Sequence, residues 1–152
     1  MNIIRAIIMA IPLFVHEHCH GIAIRLCSIT YKELRHCPIR YTYDFKKCTG
    51  RTHSKAFRHF QENPTKYADA IRFVALAGTW MSVLLYSAIV VLVAGTLFTL
   101  NIWSECSAPF YFAGYAYLCI ITFLELCGFY TNKSEYCDRA FAMHPETYIY
   151  IE

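Results

Sequence analysis

The chain has 152 residues, 57% hydrophobic and 16% charged, with a formal net charge of +3. That is one domain's worth of sequence. The mean hydropathy is +0.32, and charge is scarce beside the roughly a quarter found in soluble globular domains. These values point away from an ordinary soluble domain and toward a membrane protein too short for a large bundle.

The positive charge is concentrated. Lys32, Arg35, Arg40, Lys46, Lys47, Arg51, Lys55, Arg58, Lys66 and Arg72 fall in the segment 28–72, opposed there only by Glu33, Asp44, Glu62 and Asp69. Beside apolar spans, such a cluster reads as a cytoplasmic loop under the positive-inside rule rather than as a nucleic-acid surface. The cysteines do not suggest a disulfide framework. Cys19, Cys119 and Cys127 lie in apolar runs, Cys37 and Cys48 lie in the basic segment, and no C-x-x-C pair occurs. All are expected to be thiols.

In chain order, a first span is expected over about residues 3–27. Its opening resembles a signal peptide, but no small-x-small site follows Val15, and apolar character resumes at Gly21-Ile22-Ala23-Ile24. A helix of that length crosses a bilayer core, which takes about 20 residues. Ile39 to Phe45 alternates apolar and polar positions, the period of a strand. Ser54 to Gln61 reads as a short basic amphipathic helix at the membrane surface, ended by Asn63-Pro64. A second span, about 73–103, holds no charged residue. A turn at Ser104–Pro109 leads to a third span, about 110–130, carrying only Glu125. The tail, 131–152, has room for a short helix around Tyr136–Met143. The expected fold is an all-α membrane protein, a single integral domain of three transmembrane helices with a short β segment after the first. The basic loop and the C-terminus would be cytoplasmic, the N-terminus and the Ser104 turn outside.

The chemistry sits in His16-Glu17-His18-Cys19-His20, which contains H-E-x-x-H. Residues four apart on a helix differ by about 40° around the axis, so His16 and His20 share a face and can grip one zinc ion. Glu17 lies beside them as a general base. His18, about 200° round from His16, cannot serve the same metal. Polar side chains inside an apolar helix are costly, on the order of 2.5–3.5 kcal/mol for one centrally placed charge, and are functional by default. The alternative is a pentad that snorkels or lines a helix contact without metal. A catalytic zinc needs a third protein ligand. Glu125, inside the third span, and Asp138, just beyond it, both qualify, and helix depth slightly favours Glu125.

The order of these features resembles the site-2 protease family of intramembrane zinc metalloproteases, over nearly the whole chain. The family's first helix carries H-E-x-x-H, matched by His16–His20. A polar, partly β segment follows, matched by Ile39–Phe45. The second helix opens with a pattern like A-G-P-x-x-N, where this chain has Ala77-Gly78-Thr79-Trp80-Met81-Ser82. The third ends in a pattern like N-L-x-P and then D-G, where Glu125-Leu126-Cys127-Gly128 and Asp138-Arg139 stand. Thr79, Ser82, Glu125, Gly128 and Arg139 depart from it. The resemblance implies Zn²⁺ held by His16, His20 and Asp138, with Glu125 near the site as runner-up. It implies Glu17-assisted hydrolysis of a transmembrane or membrane-associated peptide. The unwound substrate would add to the strand at Tyr41 and Tyr43. The competing expectation is a catalytically inactive zinc-binding membrane protein that scaffolds a partner helix. A di-iron oxidase would need more histidine clusters than His36, His53, His59 and His144 provide, and a zinc finger of Cys37, Cys48, His53 and His59 has unsuitable spacing.

Overall fold

The computed structural model describes residues 3–45, 47, 49–100, 108–131 and 138–147. Helix α1 runs Ile3–Thr30, followed by a single 3-10 turn at Lys32–Leu34. A hairpin of β1 (Ile39–Asp44) and β2 (Thr49–Ser54) comes next, then helices α2 (Lys55–Glu62), α3 (Ala68–Leu100), α4 (Ala108–Thr131) and α5 (Asp138–Met143). The architecture is mostly helical with one two-stranded antiparallel sheet. Cys48, the Ser104–Ser107 part of the expected turn, and Tyr136 and Cys137 of the expected tail helix lie outside the described residues. Cys19, Cys27, Cys37, Cys119 and Cys127 are free thiols.

Among the described residues, two helices are long and apolar enough to cross a membrane: α3 over Ala68–Thr96 and α4 over Tyr111–Thr131. Few of their side chains are buried within the protein, and Leu84, Val91, Leu92, Phe112 and Phe123 are broadly exposed. α1 has the length and carries the polar pentad, and it is not among the two found over the described residues.

The core lies between the second half of α1, the connecting segment and the first half of α3. Ala23, Ile24 and Cys27 pack with Leu34, Cys37, Ala56, Phe57 and Phe60, and with Tyr67, Ala70, Ile71, Val74 and Ala77. Full burial of one large apolar side chain such as Phe60 contributes about 1.5–3 kcal/mol. The sequence reading placed α2 on the membrane surface, and the structure corrects this. Its apolar face, Ala56, Phe57 and Phe60, is turned into the protein, where Phe60 packs against Phe57 and Tyr67. Nothing apolar is left on α2 for lipid, and its exposed face carries Lys55 and Arg58.

The chain changes from strand to helix at Ser54. That residue ends β2 opposite Ile39, and its hydroxyl accepts from the Ala56 backbone N–H at 3.2 Å, capping α2. β2 itself was not foreseen. Its inward residues are small and polar, Thr52 and Ser54, so no hydrophobic alternation marks it.

A polar clamp joins the turn after α1 to the start of α3. The Glu33 carboxylate accepts from Lys66 Nζ and from the Tyr67 hydroxyl at 2.7 Å. The bond from Lys66, with Glu33's own backbone and Tyr67, holds its pKa down at about 2. A depressed carboxyl stabilises the fold above its unfolded pKa, and that contribution is lost as pH falls through the folded value. Glu33→Gln should therefore melt below wild type at neutral pH. The gap should close as pH falls from about 4.5 toward about 2, as thermal denaturation in detergent would record.

Candidate metal centre

His16 and His20 stand one turn apart on α1 with ring centroids 4.8 Å apart. Each imidazole is fixed by what its Nδ1 touches. His20 Nδ1 lies 2.7 Å from the Val74 carbonyl of α3, which only accepts, so that nitrogen carries the proton. His16 Nδ1 faces Glu125 Oε2 of α4 at 3.1 Å and donates likewise. Both Nε2 atoms are left as lone-pair donors, and both point at one place. They are 3.1 Å apart, and Asp138 Oδ2, at the start of α5, lies 3.2 Å from each.

Ligand atoms 2.0–2.1 Å from a tetrahedral zinc ion are about 3.3–3.4 Å from one another. The observed triangle, with edges of 3.1, 3.2 and 3.2 Å, has nearly that size. With both imidazoles neutral, the three atoms turn lone pairs toward one point, which a cation can occupy; without one, a proton on an imidazole bridges to the Asp138 carboxylate. Burial of the Asp138 carboxyl works against ionisation, yet the facing His20 and His16 hold it below the ordinary carboxylate range. Two neutral imidazoles and one carboxylate form a donor set that fits zinc, with the fourth corner left over for water or substrate.

The approach of α3 depends on Gly78. A Cβ there would fall 2.6 Å from His16 Nε2 and closer still to His20 Nε2. Only glycine lets the helix backbone form that wall. Together these groups make His16, His20 and Asp138 the candidate ligand set. Glu125 orients His16 from the far side of its ring rather than joining the triangle. The ambiguity between the two acids resolves because His16 presents one nitrogen to each.

Glu17 is buried beside the triangle, 7% exposed. Thr52 of β2 donates to its Oε2 at 2.7 Å, with the Glu17 carbonyl oxygen at 2.9 Å. Gly50 closes over the same side chain, since a Cβ there would lie 2.6 Å from Glu17 Cγ. A cavity of about 400 Å³ opens on the site. Its walls include Leu13, His16 and Glu17 of α1, Thr49 and Gly50 of β2, Glu125 of α4, and Asp138 and Arg139 of α5.

His18 lies away from the triangle, as its angle on the helix requires. Its ring is stacked between Phe14 and Tyr41, with Tyr43 Oη 3.1 Å from its Nδ1. Tyr41 also presses its hydroxyl against Gly21. Tyr41 and Tyr43 thus fasten β1 to α1 and do not line the cavity; the strand residues that do are Thr49 and Gly50. Sequence reasoning missed Thr52 and Gly50. It met Gly78 only as part of a motif position, without its contact to the histidines.

Two outcomes follow for metal binding. Gly78→Ala should abolish zinc uptake while α3 still forms, because alanine favours helix but its methyl occupies the ligand space. Glu125→Gln should keep the site and weaken zinc affinity about 10–100-fold, the usual effect of altering a ligand's hydrogen-bond partner. Metal content by atomic emission and a competitive chelator titration would check both.

Comparison with known proteins found no matching family model, no similar curated protein and no similar solved structure.

Proposed function

We propose that the protein is an intramembrane zinc metalloprotease of the site-2 protease type, hydrolysing peptide bonds of membrane-embedded or membrane-proximal substrates. The observation that carries this reading is the triangle of His16 Nε2, His20 Nε2 and Asp138 Oδ2, with edges of 3.1–3.2 Å, beside a buried carboxylate. Zinc held there would supply Lewis-acid polarisation of a carbonyl and acidification of a water. Glu17, one residue from a ligand, takes the proton from the attacking water and passes it to the leaving amine. His20 and His16 keep their tautomers through Val74 and Glu125, so their lone pairs stay aimed. The cavity admits one unwound segment, and the backbone at Thr49–Gly50 runs along its wall, where an extended peptide can add to the hairpin.

In this reading α1 spans the bilayer together with α3 and α4. The basic segment 28–72 lies in the cytoplasm with the tail, the N-terminus lies outside, and water reaches the site from the cytoplasmic side. The polar pentad is tolerated because its side chains face protein and cavity rather than lipid. The departures at Gly128 and Arg139, both on the cavity wall, favour a second reading in which the zinc site is retained and the protein holds a partner helix without cleaving it.

Zinc analysis of detergent-purified protein tests the shared premise. About one zinc per chain is expected in wild type, and none in His20→Ala or Asp138→Ala. Absence of zinc in wild type would sink both readings. Glu17→Gln then separates them. With fluorescein-labelled casein as probe, the protease reading expects turnover to fall on the order of a hundredfold or more with zinc retained. The scaffold reading expects no turnover in wild type and no consequence of the substitution.

A further inference from the structure

The Glu17 carboxylate has two oxygens, and the hairpin treats them differently. Oε2 accepts from Thr52 Oγ1 at 2.7 Å. Oε1 lies on the Gly50 side, 2.9 Å from where a Cβ of that residue would stand. Thr52 has a single hydroxyl proton, and the nearer acceptor is the carboxylate oxygen, the stronger of the two. Thr52 is 9% exposed and Glu17 7%, so water does not readily replace this bond. The partners are 35 residues apart and belong to different elements. Thr52 is paired across the sheet with Tyr41, whose ring packs on His18 and whose hydroxyl abuts Gly21. The hairpin is thereby fastened to α1 through one face of β1, and the same docking brings the Thr52 hydroxyl to the base.

A glutamate has three rotatable bonds, and a general base must aim one lone pair at the proton it removes. Misplacement by about 1 Å costs on the order of a hundredfold in rate. Helix α1 alone fixes only the root of the side chain. We infer that Thr52 is a positioning residue for the reaction. Its hydroxyl anchors Glu17 Oε2, leaving Oε1 as the oxygen that takes the proton, so the base is competent only when the hairpin is docked on α1. This rests on the proteolytic reading above and adds a residue outside every motif of the sequence.

The test uses full-length, zinc-loaded protein in detergent, with Thr52→Val, Thr52→Ala and Thr52→Ser beside wild type. Two probes are used: fluorescein-labelled casein for turnover, and acetohydroxamate binding by calorimetry for a readout without turnover. A hydroxamate chelates zinc and hydrogen-bonds to the neighbouring base, so its affinity reports where the carboxylate points. The expected result for Thr52→Val is retained zinc, kcat lowered about 10–100-fold with KM little changed, and hydroxamate bound several-fold more weakly. Thr52→Ser should restore both. Thr52→Ala removes the hydroxyl without filling its space and serves if the valine variant does not fold.

Wild-type kcat and hydroxamate affinity in the valine or alanine variant would overturn the inference and leave the protease reading standing. So would a serine variant as impaired as valine, which would assign the effect to the shape of the side chain. A wild type that takes up zinc but neither cleaves casein nor binds hydroxamate would overturn both.

Discussion

Three electron-pair donors pointed at one spot are a constraint that the surrounding fold has to satisfy. His16, His20 and Asp138 approach within 3.1–3.2 Å of one another, and each imidazole is held there by a group that gains from the contact. Val74 offers α3 backbone to one imidazole and Glu125 offers α4 to the other. Gly78 gives up its side chain so that α3 can come close. The crossing of α1 and α3, the placement of α4 and the docking of α5 are all visible as supports of that triangle. In a largely apolar chain, the cost of gathering these groups makes an incidental origin hard to sustain.

Much of this was legible in the residues. The four-residue spacing of the histidines fixed their shared face, and the same arithmetic removed His18 from the set. A long uncharged run announced α3 and an apolar run with the single charge Glu125 announced α4, while strict alternation announced β1 to within one residue of its end. What stayed hidden has a physical reason in each case. β2 turns Thr52 and Ser54 inward, so its buried face carries no hydrophobic signal. The amphipathic pattern of α2 showed that it had an apolar side, but not whether protein or lipid would cover it. Periodicity reports that a face is buried and is silent about the partner. Depth along a helix could not separate Asp138 from Glu125. The choice lay in which nitrogen of His16 each acid meets, a fact of three-dimensional packing.

The hairpin changes meaning between sequence and structure. From the sequence its aromatic residues invited a role in contacting a ligand. In the folded protein Tyr41 and Tyr43 are spent on α1, stacked with His18 and Phe14. The unassuming residues opposite them, Gly50 and Thr52, meet the buried carboxylate. Large side chains supply the adhesion, and small ones supply access.

His16 and Asp138 are separated by 122 residues, and this has a consequence for the order of events during biosynthesis. The ribosome makes the histidine pair early and the aspartate late. Until α4 has formed and α5 has packed beside the histidines, a nascent chain can offer a metal ion only two imidazoles, a weak and open grip. The complete triangle forms when the last elements are in place. The chain thus carries a built-in delay, in which the candidate metal centre is completed only after the helices around it.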